Sequence, residues 1–157
     1  MNRRSARWNQ RKTANPPAGG TDPLPREHRL QSIKLALVVP GGVDRSGEYR
    51  VIPALLALIR ELARHHELHV FALYQEAQPA CWELAGARIH NIGTRQTRAR
   101  GVAAILAEHR RASFSAIQSI FSGACSQVAV TAALLSRRPV AVHVAGGEIV
   151  ALDVVLG

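Results

Sequence analysis

Two glycine pairs stand where an apolar segment of the chain gives way to a polar turn. Gly41 and Gly42 follow the apolar run IKLALVV, and Gly146 and Gly147 follow the apolar run PVAVHV. Glycine lacks a Cβ atom, so it adopts positive φ and lets a ligand approach the backbone. A helix that begins after such a turn directs unpaired N–H groups at an anion. The pattern allows two interpretations, a tight turn or an anion-binding turn.

The first glycine turn differs from the common phosphate-binding motifs. Its glycines stand at Gly41, Gly42 and Gly47, which is not the GxGxxG spacing, and no Gly-Lys-Ser/Thr sequence follows. A nicotinamide site and a P-loop NTPase are therefore both disfavoured.

Three further residues could carry chemistry near predicted strand or helix ends. His143 precedes the second glycine pair, and it is either a ligand-facing residue or a buried, hydrogen-bonded strand histidine. Glu148 either binds a hydroxyl group or is an ordinary loop acid. Cys125, at a predicted helix start, is either a thiol with a lowered pKa or a small buried residue.

The other histidines do not form a recognisable metal site. His65, His66 and His69 straddle a predicted helix end and strand start, so their side chains should point apart. His90 and His109 are predicted at the surface. We predict neither a metal nor another cofactor.

The composition is that of a globular domain with a basic N-terminal segment. The 157 residues are 47% hydrophobic and 20% charged, enough for one domain with its own core. Cys81 and Cys125 show no CxxC or Cys/His spacing, so a disulfide framework is disfavoured and a reducing, cytoplasmic setting fits. No apolar run approaches the roughly 18 residues of a transmembrane helix.

The basic charge is concentrated near the N-terminus. The net charge is +9, and residues 1–32 hold seven Arg and Lys against two acids. We predict that residues 1–31 are a disordered basic tail and that residues 32–157 form the folded domain. A solvated leader is favoured over an arm that binds RNA or lies at an anionic membrane surface. Nucleic acid is thus a disfavoured partner, and a peripheral membrane location is the alternative to a purely cytoplasmic one.

Strand-like and helix-like segments alternate from residue 33 onward. Strands are predicted at 33–39, 67–73, 87–92, 115–120 and 139–144, and helices from about 49–52, at 101–111 and at 124–136. The segment that holds Pro79, Cys81 and Trp82 is predicted to be a loop. Alternation of this kind predicts a doubly wound α/β fold with a parallel sheet in the order 3-2-1-4-5. Such sheets bind ligands at the carboxyl ends of their strands.

The segment VVPGGVDRSGEYRVIPALLALIRELARHHELHVFAL resembles the opening βαβ unit of the GT-B glycosyltransferases. The closest resemblance is to the N-terminal domain of the retaining, "glycosyltransferase subfamily 4-like" family. It continues through GARIHNIG and FSAIQSIFSGACSQVAVTAALLSRRPVAVHVAGGEIVAL, and covers roughly residues 33–152. The resemblance implies a Rossmann-like, acceptor-side domain that faces a second, donor-binding domain across a cleft.

The resemblance also implies roles for individual residues. Gly41 and Gly42 would face the donor's diphosphate, and His143 would be the catalytic histidine near the transferred sugar. The remaining residues that would face the substrate are Ser122, Gly123, Gly146, Gly147 and Glu148.

The sequence departs from the family because it ends at Gly157, before a donor domain. We therefore expect an incomplete GT-B N-terminal domain of hexosyltransferase type, from a truncated or frame-shifted reading frame, that is inactive alone. Its partners would be a nucleotide-sugar donor, an unknown acceptor and a separate or missing donor domain. The alternative is a non-catalytic α/β binding module whose basic tail contacts nucleic acid or a partner protein.

Overall fold

A six-stranded sheet lies at the centre of the computed structural model, which describes residues 32–144. Its strands are β1 (Lys34–Val39), β2 (Glu67–Ala72), β3 (Ala80–Leu84), β4 (Ala87–Asn91), β5 (Ala116–Ile120) and β6 (Val140–His143). The helices are α1 (Pro53–His65), α2 (Thr97–Arg111) and α3 (Ala124–Ser136). The predicted tail (1–31) and the predicted site residues Gly146, Gly147 and Glu148 lie outside the described residues.

The sheet is doubly wound and mostly parallel, which confirms the predicted α/β class. Its strand order is β3-β4-β2-β1-β5-β6, and every neighbouring pair is parallel except β3–β4. Without β3, this order is the predicted 3-2-1-4-5. The central strands are buried on both faces, as near-continuous apolar runs predict.

The prediction of a loop around Cys81 and Trp82 is wrong, because both residues lie in edge strand β3. A tight hairpin joins β3 to β4 through Ala85 (φ 53°) and Gly86 (φ 83°), and two positive φ values suit the twist of adjacent strands. The short sequence ACWEL alternates between half-buried and exposed residues. Edge strands need no continuous apolar run, so the segment lacks the signal that marks the central strands.

Alternate residues of β1 face two separate cores. Ala36 and Val38 belong to the core that α2 and α3 cover, whereas Leu37 and Val39 belong to the core beneath α1. The period of two along a strand produces this division. No helix within residues 32–144 is long and apolar enough to cross a bilayer.

Two helix starts differ from the sequence-based predictions. Helix α1 begins at Pro53, because Val51 still pairs with Val43 in an isolated bridge and proline fits the first helical position. Helix α2 begins at Thr97, so Gly101 is inside the helix and not at its boundary. A Cβ atom at Gly101 would lie 3.1 Å from Val128 Cγ1, which shows that glycine here permits close packing against α3.

Candidate functional site

A cavity of about 350 Å³ lies at the carboxyl edge of the sheet, beside the first turns of α1 and the ends of β5 and β6. Its walls are mostly apolar, and Gln118 and His143 are its polar side chains. The lining residues are Ile52, Ala54, Leu55, Leu58, Gln118, Ile120, Phe121 and His143. The structure therefore places His143 at the edge where the sequence predicted a ligand site.

His143 is the last residue of β6 and pairs with Ile120 of β5. Its carbonyl oxygen accepts a hydrogen bond from the N–H of Phe121 at 3.0 Å. Within the described part of the chain its side chain is exposed. The alternative of a buried core histidine is therefore wrong, whereas its catalytic role stays a prediction.

The turn after β5 carries backbone strain at this same edge. Phe121 adopts φ 75°, which is rare for a residue with a Cβ atom and concentrates at functional sites. Ser122 follows, and Gly123 (φ 69°) precedes α3. Among residues 32–144, a Cβ atom at Gly123 would meet nothing within 4 Å.

Helices α1 and α3 both begin at the carboxyl edge without a side-chain cap. Ile52 and Gly123 occupy the two N-cap positions, neither makes a side-chain capping bond, and neither first turn contains an acid. Uncapped helix starts present N–H groups and a positive partial charge. This edge of the sheet is therefore suited to an anion.

The Gly41–Gly42 turn lies beside the cavity, but part of its hydrogen-bonding capacity is used internally. The N–H groups of Gly42 and Val43 both donate to Gln75 Oε1, at 2.7 and 3.1 Å. Gly42 has φ 81°, and a Cβ atom there would lie 2.6 Å from Ile52 Cγ1. Glycine at 42 thus allows Ile52 to approach the turn, and the role of the pair toward a diphosphate stays a prediction.

Gln75 holds the carboxyl-edge loops together, and sequence reasoning missed it. It is 2% exposed, and its backbone carbonyl accepts a bond from Arg50 Nη2 at 2.6 Å. Its side-chain nitrogen lies 3.4 Å from Asp44 Oδ2. Hydrogen bonds from Ser46, the backbone N–H first, lower the pKa of Asp44. The available signal was its position, a polar residue shortly after β2.

A second polar cluster links β2, β3 and β4 away from the predicted site. His69 Nδ1 lies 2.9 Å from His90 Nε2, and His90 Nδ1 lies 3.5 Å from Cys81 Sγ. His90 is 7% exposed, so its predicted surface position is wrong. Burial lowers the pKa of His90 to about 4 and also lowers the pKa of His69. In β-sheet register Cys81 lies directly opposite His90, and a sequence prediction that places Cys81 in a loop gives no sign of this pairing.

The remaining histidines form no shared metal site within residues 32–144. His65 is in α1, His66 follows it and His69 is in β2. The rings of His65 and His66 lie edge to face with centroids 6.3 Å apart, so the prediction that these side chains point apart is wrong for that pair. Over residues 32–144 no group of three or more His, Cys, Asp or Glu side chains converges as metal ligands. His109 is half-buried and its Nδ1 accepts the N–H of Phe114 at 3.1 Å, so the surface prediction overlooked this contact.

The strand order, the parallel pairing and the helices on both faces define a Rossmann-like α/β domain. Comparison with protein-family models and with curated proteins gives no match to this chain. Proposals about its function therefore depend on the geometry of its sites and on the resemblance described in its sequence.

Proposed function

We propose that this chain is the acceptor-side domain of a GT-B glycosyltransferase, which transfers a sugar from a nucleotide-sugar donor. One observation carries the proposal: His143 and the uncapped start of α1 line the same cavity at the carboxyl edge of the sheet. Ligands of doubly wound sheets bind at this edge. The proposal also draws on the resemblance of residues 33–152 to the family.

The proposed chemistry separates a sugar from a nucleoside diphosphate. Negative charge accumulates on the leaving diphosphate as the bond to the sugar breaks, and oriented backbone dipoles stabilise it without reorganising. The N–H groups of Ala54 and Leu55, in the first turn of α1, supply such dipoles. His143 would donate or accept a hydrogen bond at the transferred sugar.

The internal hydrogen bonds of the glycine turn suggest that the turn and the start of α1 have different roles. Gln75 already occupies the N–H groups of Gly42 and Val43. We therefore assign the diphosphate to the start of α1. Gly42 would act indirectly, because its lack of a Cβ atom allows Ile52 to pack against the turn and so positions the start of α1 at the cavity. Ser122 and Gly123 would flank the sugar from the β5 side.

The test is turnover of a nucleotide sugar by the full chain joined to the donor domain of a GT-B enzyme. Release of nucleoside diphosphate reports transfer, even to water. His143→Ala should lower kcat at least about tenfold, the effect of losing about 1.4 kcal/mol of transition-state stabilisation. His65→Ala, on the exposed end of α1, is the matched control.

Two results would contradict the proposal. One is a folded two-domain protein that hydrolyses no nucleotide sugar. The other is a His143→Ala variant with the turnover of its parent.

The occupied N–H groups of Gly42 and Val43 favour a second candidate, a non-catalytic binding module whose glycine turn is structural. That module would retain a nucleotide or partner at the carboxyl edge without consuming it. Binding of nucleoside diphosphate with no turnover in the two-domain protein would support it over the transferase.

A further inference from the structure

Four side chains form a hydrogen-bonded series from the protein surface to a second cavity. Glu67 Oε1 lies 3.1 Å from His69 Nε2, His69 Nδ1 lies 2.9 Å from His90 Nε2, and His90 Nδ1 lies 3.5 Å from Cys81 Sγ. Glu67 is exposed and also pairs with Lys34 at 3.1 Å. The two histidines between the ends of the series are 4% and 7% exposed.

The series ends at a cavity of about 440 Å³ that is separate from the carboxyl-edge site beside α1. Cys81 is exposed and lines it together with His90. Apolar residues of α2, and apolar residues just before β3 and just after β4, form much of the wall, and Arg100 is its cationic residue. The lining residues are Pro79, Ala80, Cys81, His90, Asn91, Ile92, Arg100, Ala103 and Ala104.

The partners of each ring nitrogen determine where the protons lie. The hydrogen bond from Lys34 lowers the pKa of Glu67, so its ionised carboxylate only accepts hydrogen bonds. His69 Nε2 must therefore carry a proton, and in the neutral ring Nδ1 is then an acceptor. His90 Nε2 must donate to it, which leaves the lone pair of His90 Nδ1 facing the thiol of Cys81.

We infer that Cys81 is a nucleophilic thiol with His90 as its proton acceptor, and that it forms a covalent bond with a small, soft carbon electrophile that bears an anionic group. The arrangement is that of an activated nucleophile: a nucleophile, a base within hydrogen-bonding reach, and a third group that orients the base. Arg100 is the charge that would hold the anionic group.

The reaction balances without an external oxidant or reductant. Cys81 Sγ forms a bond to the electrophilic carbon, and the leaving group departs as an anion with the bonding electron pair. The thiol proton passes to His90 Nδ1, the Nε2 proton of His90 passes to His69, and the Nε2 proton of His69 passes to Glu67 and then to water. Both imidazoles finish neutral with exchanged tautomers.

Transfer along the series matters because a cation held at His90 is disfavoured. Burial, followed by the like charge of His69, lowers the pKa of His90 to about 4. The charged groups around it are Lys34 on β1, Arg88 on β4 and Glu108 on α2, and only Glu108 favours the imidazolium. Glu67 is exposed and its pKa is lowered, so it passes the proton on to water and no imidazolium persists at His90.

The test is alkylation of the full chain by iodoacetamide and by iodoacetate at about pH 6, followed by mass spectrometry. Cys125 is 3% exposed and serves as an internal control, because its alkylation reports unfolding. Cys81 should react at least about tenfold faster than N-acetylcysteine, since a free thiol of pKa about 8.5 is mostly protonated there. His90→Gln should lower this rate to that of the free thiol, and Glu67→Gln should give an intermediate rate.

Arg100 is tested by the ratio of the iodoacetate rate to the iodoacetamide rate. Arg100→Gln should lower the ratio about threefold, the order expected of one exposed charge. Arg98→Gln, on the same helix but outside this cavity, should leave it unchanged. Should a His90→Gln variant with protected Cys125 react like the parent, or should Cys81 react like N-acetylcysteine, the inference would be overturned. An unchanged ratio in Arg100→Gln would overturn the anionic part of the assignment.

Discussion

Gln75 Oε1 accepts the backbone N–H of Gly42 at 2.7 Å, across 33 residues of sequence. The same oxygen accepts the N–H of Val43 at 3.1 Å. One buried carboxamide therefore connects the loop after β1 to the loop after β2. The loop after β1 carries the turn that leads to α1, so the shape of the carboxyl edge depends on this contact.

Replacement of Gln75 by Leu should destabilise the fold by about 2 to 4 kcal/mol. The change leaves the buried N–H of Val43 and the partly buried N–H of Gly42 without an acceptor, at about 1 to 3 kcal/mol for a buried group and less for a partly buried one. Urea unfolding of the variant and its parent measures the difference. Gln78→Leu is the matched control, since Gln78 is exposed in the same loop. Equal losses at the two positions would mean that the bonds from Gly42 and Val43 contribute nothing.

Gly42→Ala should cost more stability than Gly41→Ala. Gly42 has φ 81° and would place a Cβ atom 2.6 Å from Ile52 Cγ1, whereas a Cβ at Gly41 would lie 3.2 Å from Gln75 Oε1. We expect about 2 to 3 kcal/mol at Gly42, from left-handed strain and the clash, and less than about 1 kcal/mol at Gly41. Chemical denaturation provides both values.

The steric part of the Gly42 effect can be isolated with Ile52→Ala. The shortened side chain should recover about 1 kcal/mol of the Gly42→Ala loss, as a double-mutant cycle would show. Strict additivity of the two changes would be inconsistent with the contact between Gly42 and Ile52.

Stability should fall as the pH decreases from about 6.5 to about 5. Burial depresses the pKa of folded His90 to about 4, below the usual value near 6.5, so the unfolded chain binds more protons in this window. Stability therefore rises with pH here, and His90 alone accounts for about 2 kcal/mol between these pH values. Denaturant unfolding at the two pH values measures the slope.

The variant His90→Gln should flatten this pH dependence, and His69, whose pKa is also lowered by burial, should account for part of what remains. If the parent and His90→Gln show the same slope, His90 is not the titrating group.

The fold was largely predictable because its central strands are covered on both faces. Such strands read as apolar runs, and β1 and β5 lie within one residue of their predicted bounds. β3 was not predicted because an edge strand needs only alternation of half-buried and exposed residues, which is a weak signal in five residues. The helix start at Thr97 was not predicted because glycine is typical of a helix boundary. Gly101 instead lies inside α2, where its lack of a Cβ atom permits close contact with Val128.

The sites were less predictable because they depend on contacts between distant segments. The position of His143 at the carboxyl edge follows from strand order, so sequence could place it. The bond from Gly42 to Gln75 depends on side-chain packing between loops, and no spacing signals it. The His69–His90–Cys81 series requires the register of three strands, one of which was not expected.

The most direct test of the proposed site is amide chemical-shift mapping of the ¹⁵N-labelled chain with UDP, and with uridine as the control without phosphate. The account predicts that the largest UDP-dependent shifts lie at Ala54, Leu55, Ser122, Gly123 and His143, with a dissociation constant on the order of 1 mM, and that uridine leaves them unchanged. Shifts confined to residues 1–31, or none at the carboxyl edge at about 10 mM UDP, would contradict a nucleoside diphosphate site there.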